Sequence, residues 1–173
     1  MTDMAIVKAT YTKSTGGAKA SVRYIENRPG KDSARIHRTL FTSDGSLTRQ
    51  QAYSLIDQAE KGRLFFRFVI SPDPQKEDTK RDLYLREVTE KTMLQLEERL
   101  HKQIQWVAAE HSDHAPHRHV HVVAVVQGRL QVQDFQALRQ TATEAALFQR
   151  KCCDLAREHQ AREREEAGWE RSV

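Results

Sequence analysis

His111-Ser112-Asp113-His114-Ala115-Pro116-His117-Arg118-His119-Val120-His121 holds five of the chain's eight histidines in eleven residues, and it runs directly into Val122-Val123-Ala124-Val125-Val126. Imidazole is the commonest metal ligand and the side chain whose ordinary pKa lies nearest neutrality. Side chains alternate along a strand, so His117, His119, His121, Val123 and Val125 share one face. The preceding segment 104–111 reads as a partner strand, with Val107, Ala109 and His111 on one face. If the connection sets His111 opposite His119, a hairpin gathers His111, His119 and His121 around one divalent ion. Opposed Cβ atoms lie only ~5 Å apart and diagonal neighbours ~7–8 Å. Three protein ligands leave coordination positions open, as a catalytic site requires and a closed structural site does not. Asp113 stands ready to orient an imidazole by accepting its other N–H. His114 and His117 read as loop residues, or as supporting or substrate contacts.

Working outward, residues 5–11 form a first strand by their β-branched and aromatic content. Gly16 and Gly17 lead into a helix over 18–26, which Pro29-Gly30 ends. A strand is expected over 35–41, a turn at Asp44-Gly45, and a helix to about residue 59 started by a Thr48/Gln51 capping box. Residues 64–70 form a buried strand, stopped by Ser71-Pro72-Asp73-Pro74. Leu85, Val88, Met93, Leu96 and Leu100 recur at helical spacing within 78–101. A last helix starts near Asp134, and its stripe Phe135, Leu138, Ala142, Ala145, Phe148, Cys152 and Leu155 predicts a core-facing side. Beyond Arg157 the pattern stays helical but loses its apolar face. Together these predict an α+β domain with a central, mainly antiparallel five-stranded sheet, helices packed on its faces and a long C-terminal helix. The expected divisions are a core at 1–132, a packed helix at 133–156 and a charged, solvated helical tail at 157–173.

The 173 residues suit one domain with a real core, and 30% of them are charged, so part of the chain is expected outside that core. No stretch has the apolar length of a membrane span, and no signal peptide is read at the start. Cys152 and Cys153 are adjacent on a helix and form no disulfide framework; they read as reduced, partly buried thiols of a cytoplasmic protein. Net charge is +4, and residues 1–40 alone carry eight basic against three acidic side chains, while the remainder nearly cancels. The basic excess at one end suits a phosphate-bearing partner.

The pattern His111-x-Asp113, Pro116-His117 and His119-Val120-His121 running into Val122-Val123 resembles the third motif of HUH endonucleases, where two histidines flank one hydrophobic residue. The likeness is greatest to plasmid-mobilisation relaxases of the MobA and Ti-plasmid type, and it covers about residues 4–130. Such enzymes carry a nucleophilic tyrosine on a helix after the first strand, and Val22-Arg23-Tyr24-Ile25 stands in that place. Tyr11, Tyr53 and Tyr84 do not. Of the two alternate-position pairs, only His119/His121 encloses a hydrophobic residue. That choice sets His111 one residue further away than the family pattern suggests and leaves His117 as a competing ligand.

The resemblance implies that His111, His119 and His121 hold a divalent ion, magnesium or manganese or another transition metal. It further implies that Tyr24 attacks single-stranded DNA, leaving a 5′-phosphotyrosine link and a 3′-hydroxyl. Lys19, Arg23, Arg28, Arg35 and Arg38 are then expected to track the backbone. The implied role is nicking and rejoining DNA at a transfer origin of a plasmid or mobile element, with accessory relaxosome proteins as partners. Rolling-circle replication initiators and transposases use the same chemistry, and a non-catalytic DNA-binding accessory protein is the rival from another class. No helicase or primase portion is read, as expected of a minimal nuclease domain or a fragment.

Overall fold

The computed structural model describes residues 5–113 and 116–170. Its elements in chain order are β1 (Ile6–Thr12), α1 (Thr15–Asn27), β2 (Leu40–Thr42), β3 (Gly45–Leu47), α2 (Arg49–Asp57), β4 (Arg63–Ser71), α3 (Leu85–Leu100), β5 (Trp106–His111), β6 (His119–Gln127) and α4 (Val132–Glu170). The strands form one sheet in the order β1-β4-β6-β5-β2-β3, and every neighbouring pair is antiparallel.

The sheet is covered on both faces, which is why β4 and β6 read as continuous apolar runs rather than alternating ones. One face presents Phe66, Phe68, Val120, Val122 and Ala124 to Val88, Met93, Leu96 of α3 and Leu138, Ala142 of α4. The other presents Phe65, Val107, Ala109 and Val123 to Ala18, Val22, Ile25 of α1 and Ala52, Ile56 of α2. Among the described residues no helix is long and apolar enough to cross a membrane.

The architecture is α+β as expected, but the sheet has six strands, not five. The extra one is β3, three residues that pair Leu47 with Leu40 and Gly45 with Thr42. Gly45, at φ +115°, reverses the chain there, a backbone state glycine adopts without steric cost. The strand expected over 35–41 shrinks to Leu40–Thr42, because Arg38 turns inward as a buried residue. The Thr48/Gln51 capping box is present with both hydrogen bonds.

Helix α3 begins at Leu85 rather than near residue 78. Asp78 lies ahead of it, accepting from Leu83 N at 3.2 Å and pairing with Arg118 at 2.8 Å. The apolar stripe of α4 also ends earlier than expected: Leu138, Ala142, Ala145 and Ala146 are buried, whereas Phe148 and Leu155 are 62% and 55% exposed. Cys152 is exposed as well, contrary to its reading as partly buried. At that level α4 meets the polar segment before α3, so Gln149 and Arg150 make the contact. Arg150 binds Asp82, and Gln149 binds the Tyr84 main chain. From residue 155 to 169 every side chain of α4 is exposed.

Candidate metal centre

The hairpin of β5 and β6 places His111 directly opposite His119, and Ala109 opposite His121. Strand alternation then sets the three imidazoles on the α1/α2 face. Their ring centroids are 5.5 Å (His111 to His119), 4.5 Å (His111 to His121) and 4.9 Å (His119 to His121) apart. One nitrogen from each lies within 4.8 Å of the others, a group able to hold a metal ion.

The second nitrogen of His111 explains how that ring is aimed. The Ile25 carbonyl sits 2.8 Å from His111 Nε2 and accepts its proton, which leaves the Nδ1 lone pair free. Carbonyls on the far nitrogen are the usual way a ligating histidine is oriented. His111 Nδ1 and His121 Nε2 are buried and have no hydrogen-bond partner. Two orphaned nitrogens in one spot carry a desolvation cost that coordination would relieve. The donor set therefore fits a divalent ion, and all-imidazole ligation suits transition metals such as zinc, iron, copper and nickel.

Burial pushes the His111 imidazole down to about 3, helped by His121 and Arg38. It pushes His121 down to about 4, helped by His119, Arg28 and Arg38. His119 is lowered for the same first reason. All three are neutral at pH 7, the state a metal ligand needs.

Tyr24 lies on α1, one residue before the Ile25 carbonyl that anchors His111. The residue is 48% exposed. The ring meets that of His121 edge-on at 6.2 Å, and the Arg28 guanidinium lies over its face at 5.5 Å. A cleft of about 210 Å³ opens beside it, lined by Lys8, Thr10, Tyr24, Arg67 and His121 among others.

Other expected site residues are placed differently. The Asp113 carboxylate receives both hydrogen bonds from Arg38, at 2.8 and 3.0 Å, rather than one from an imidazole. That guanidinium holds Asp113 below the usual carboxylate range. Arg38 also donates to the Arg28 carbonyl at 2.7 Å, so it is a buried tie between the end of α1 and the hairpin. His117 is half-buried with its ring 6.4 Å from that of His119, outside the triad. Lys19 pairs with Asp57 at 2.7 Å. Arg23 and Arg35 are exposed. His114 lies outside the described residues.

Lys8 and Arg67 were missed from sequence. The register pairs Lys8 with Val69, Val69 with His121 and Arg67 with Val123, which puts both cations on the histidine face. The available signal was a lone arginine inside the apolar run 64–70. No protein-family model matches the chain, and neither does any curated protein or solved structure.

Proposed function

We propose that this protein is a metal-dependent nuclease and strand transferase of single-stranded DNA, a relaxase of the HUH type serving plasmid or mobile-element transfer, with Tyr24 as nucleophile. The carrying observation is that an exposed tyrosine meets His121, one of three convergent imidazoles, at a cleft that also carries Lys8 and Arg67. The α+β fold and the triad are compatible with the HUH motif.

His111, His119 and His121 would hold the ion. A divalent ion there supplies Lewis acidity, withdrawing charge from the scissile phosphate. Lys8, Arg28 and Arg67 attract the phosphates and orient the strand, a contribution that weakens with salt. The Tyr24 oxygen forms a bond to phosphorus as the bond from phosphorus to the 3′-oxygen breaks. The tyrosine proton passes to solvent and the departing 3′-oxygen takes one up, so the products are a 5′-phosphotyrosine and a 3′-hydroxyl. Reversal by the same 3′-hydroxyl rejoins the strand, since one phosphoester has been exchanged for another.

The test uses a 3′-labelled, sequence-randomised pool of single-stranded DNA with manganese. Wild type should give a denaturation-resistant labelled protein band, lost with chelator and lost in Tyr24→Phe. A band of equal intensity in Tyr24→Phe would overturn the nucleophile.

A further inference from the structure

A second cleft lies at the same end of the sheet, on the side of α3. It measures about 420 Å³ and is lined by Arg38, Thr39, Phe41, Tyr84, Arg86 and Glu110, within the ~300–1,000 Å³ typical of small-ligand sites. Three features set it apart from ordinary surface.

Tyr84 is an exposed aromatic held on a fixed main chain. The residue is 59% exposed, yet its N–H donates to Gln149 Oε1 at 2.7 Å and its carbonyl accepts from Gln149 Nε2 at 3.1 Å. Gln149 is itself buried, so a buried amide fixes the main chain that carries an exposed ring. Arg86 is the second feature. Its guanidinium lies 4.6 Å over the Phe41 ring, and no carboxylate pairs with it among the described residues. The cation is thus oriented by an aromatic face and keeps its N–H groups for another acceptor.

The third feature is continuity with the metal centre. Arg38 lines this cleft while its guanidinium bonds Asp113, two residues from His111, and the carbonyl of Arg28, whose own guanidinium covers Tyr24. Glu110, the one acid in the lining, is drawn towards Arg118 at 3.1 Å, and Arg38 is held by Asp113, so Arg86 is the cation of the lining left for a ligand.

We infer that the Tyr84–Arg86 cleft is a second nucleotide subsite for single-stranded DNA, where an unpaired base stacks on the Tyr84 ring and Arg86 holds a phosphate. Only an unpaired base offers its face to such a ring, and stacking platforms beside cations are how single strands are held without sequence readout. A strand crossing Tyr24 and Arg28 follows the segment around Arg38 into this cleft. The subsite rests on the single-stranded-DNA reading above.

The experiment measures fluorescence anisotropy of labelled thirty-nucleotide oligothymidylate with chelator present, which suppresses cleavage, across a salt series. Tyr84→Ala should weaken binding by about five-fold or more, and Tyr84→Phe, which keeps the ring, should restore it. Arg86→Gln should weaken binding and reduce the salt slope by about 0.7, the value for one phosphate contact on a single strand. Thermal melts of the three variants should match wild type, as expected for exposed or half-exposed side chains. Binding by wild type with no change in Tyr84→Ala and Arg86→Gln would remove the subsite and leave the DNA reading intact. Failure of wild type to bind the oligonucleotide would remove both.

Discussion

At the residue scale, what distinguishes the histidines is which nitrogen is spoken for. The Ile25 carbonyl takes one nitrogen of His111, His111 Nδ1 and His121 Nε2 are buried without a partner, and one nitrogen of each of the three rings lies within 4.8 Å of the others. Manganese should therefore raise the melting temperature of wild type but not of His119→Ala or His121→Ala. At a concentration one hundred times Kd the stabilisation is about 2.7 kcal/mol. Equal shifts in all three proteins would place the ion elsewhere.

The buried titratable groups act on stability in opposite directions. The imidazole pKa values of His111 and His121 fall from 6.5 to about 3 and 4, so on acidification the unfolded chain takes up protons first. Stability that is full above 6.5 is lost as pH falls towards those values. Glu77 is fully buried and its pKa rises from 4.5 to about 7, because desolvation outweighs the hydrogen bond from Asp73 N. Its contribution is full below 4.5 and is lost as pH rises through 7. Glu77→Gln should match wild type in urea unfolding near pH 4.5 and exceed it by about 3 kcal/mol near pH 8. A difference independent of pH would show that Glu77 does not titrate in this way.

At the element scale, the hairpin was legible and its supports were not. Strand alternation is local, so the sequence showed that His111, His119 and His121 would share a face if the connection set His111 opposite His119, the register the structure has, and the capping box at Thr48 was likewise written in adjacent residues. The Arg38–Asp113 pair joins residues 75 apart through an irregular segment with no period, so nothing local announced it. β3 was missed because three residues cannot display alternation. The early end of the α4 stripe was missed because Phe148 and Leu155 keep helical spacing after the apolar partner surface has ended.

The Arg38 tie carries its own prediction. Arg38→Leu strands the Asp113 carboxylate and the Arg28 carbonyl. It should cost about 2 kcal/mol in urea unfolding, less than for a fully buried pair because Asp113 is 28% exposed. It should also weaken manganese binding by loosening the hairpin against α1. Unchanged manganese affinity in a folded Arg38→Leu protein would limit Arg38 to stability.

At the scale of the whole molecule, the N-terminal basic excess becomes spatial. Lys8 and Arg28 meet Arg67 from mid-sequence around the Tyr24 cleft. The far half of α4 takes no part in the core. Among the described residues its last ion pair with the body is Arg157 to Asp82 at 2.7 Å. Truncation after Glu158 should therefore change unfolding free energy by no more than about 0.5 kcal/mol. A larger loss would mean that the helix beyond Glu158 has partners in solution.

The claim that joins these scales is that Tyr24 becomes covalently bonded to DNA phosphorus. Mass spectrometry of the adduct after nuclease and trypsin digestion reads this directly. The account predicts a nucleotide remnant on the peptide from Tyr24 to Lys31, whose one tyrosine is Tyr24. A remnant on a peptide carrying Tyr11, Tyr53 or Tyr84 instead would contradict it.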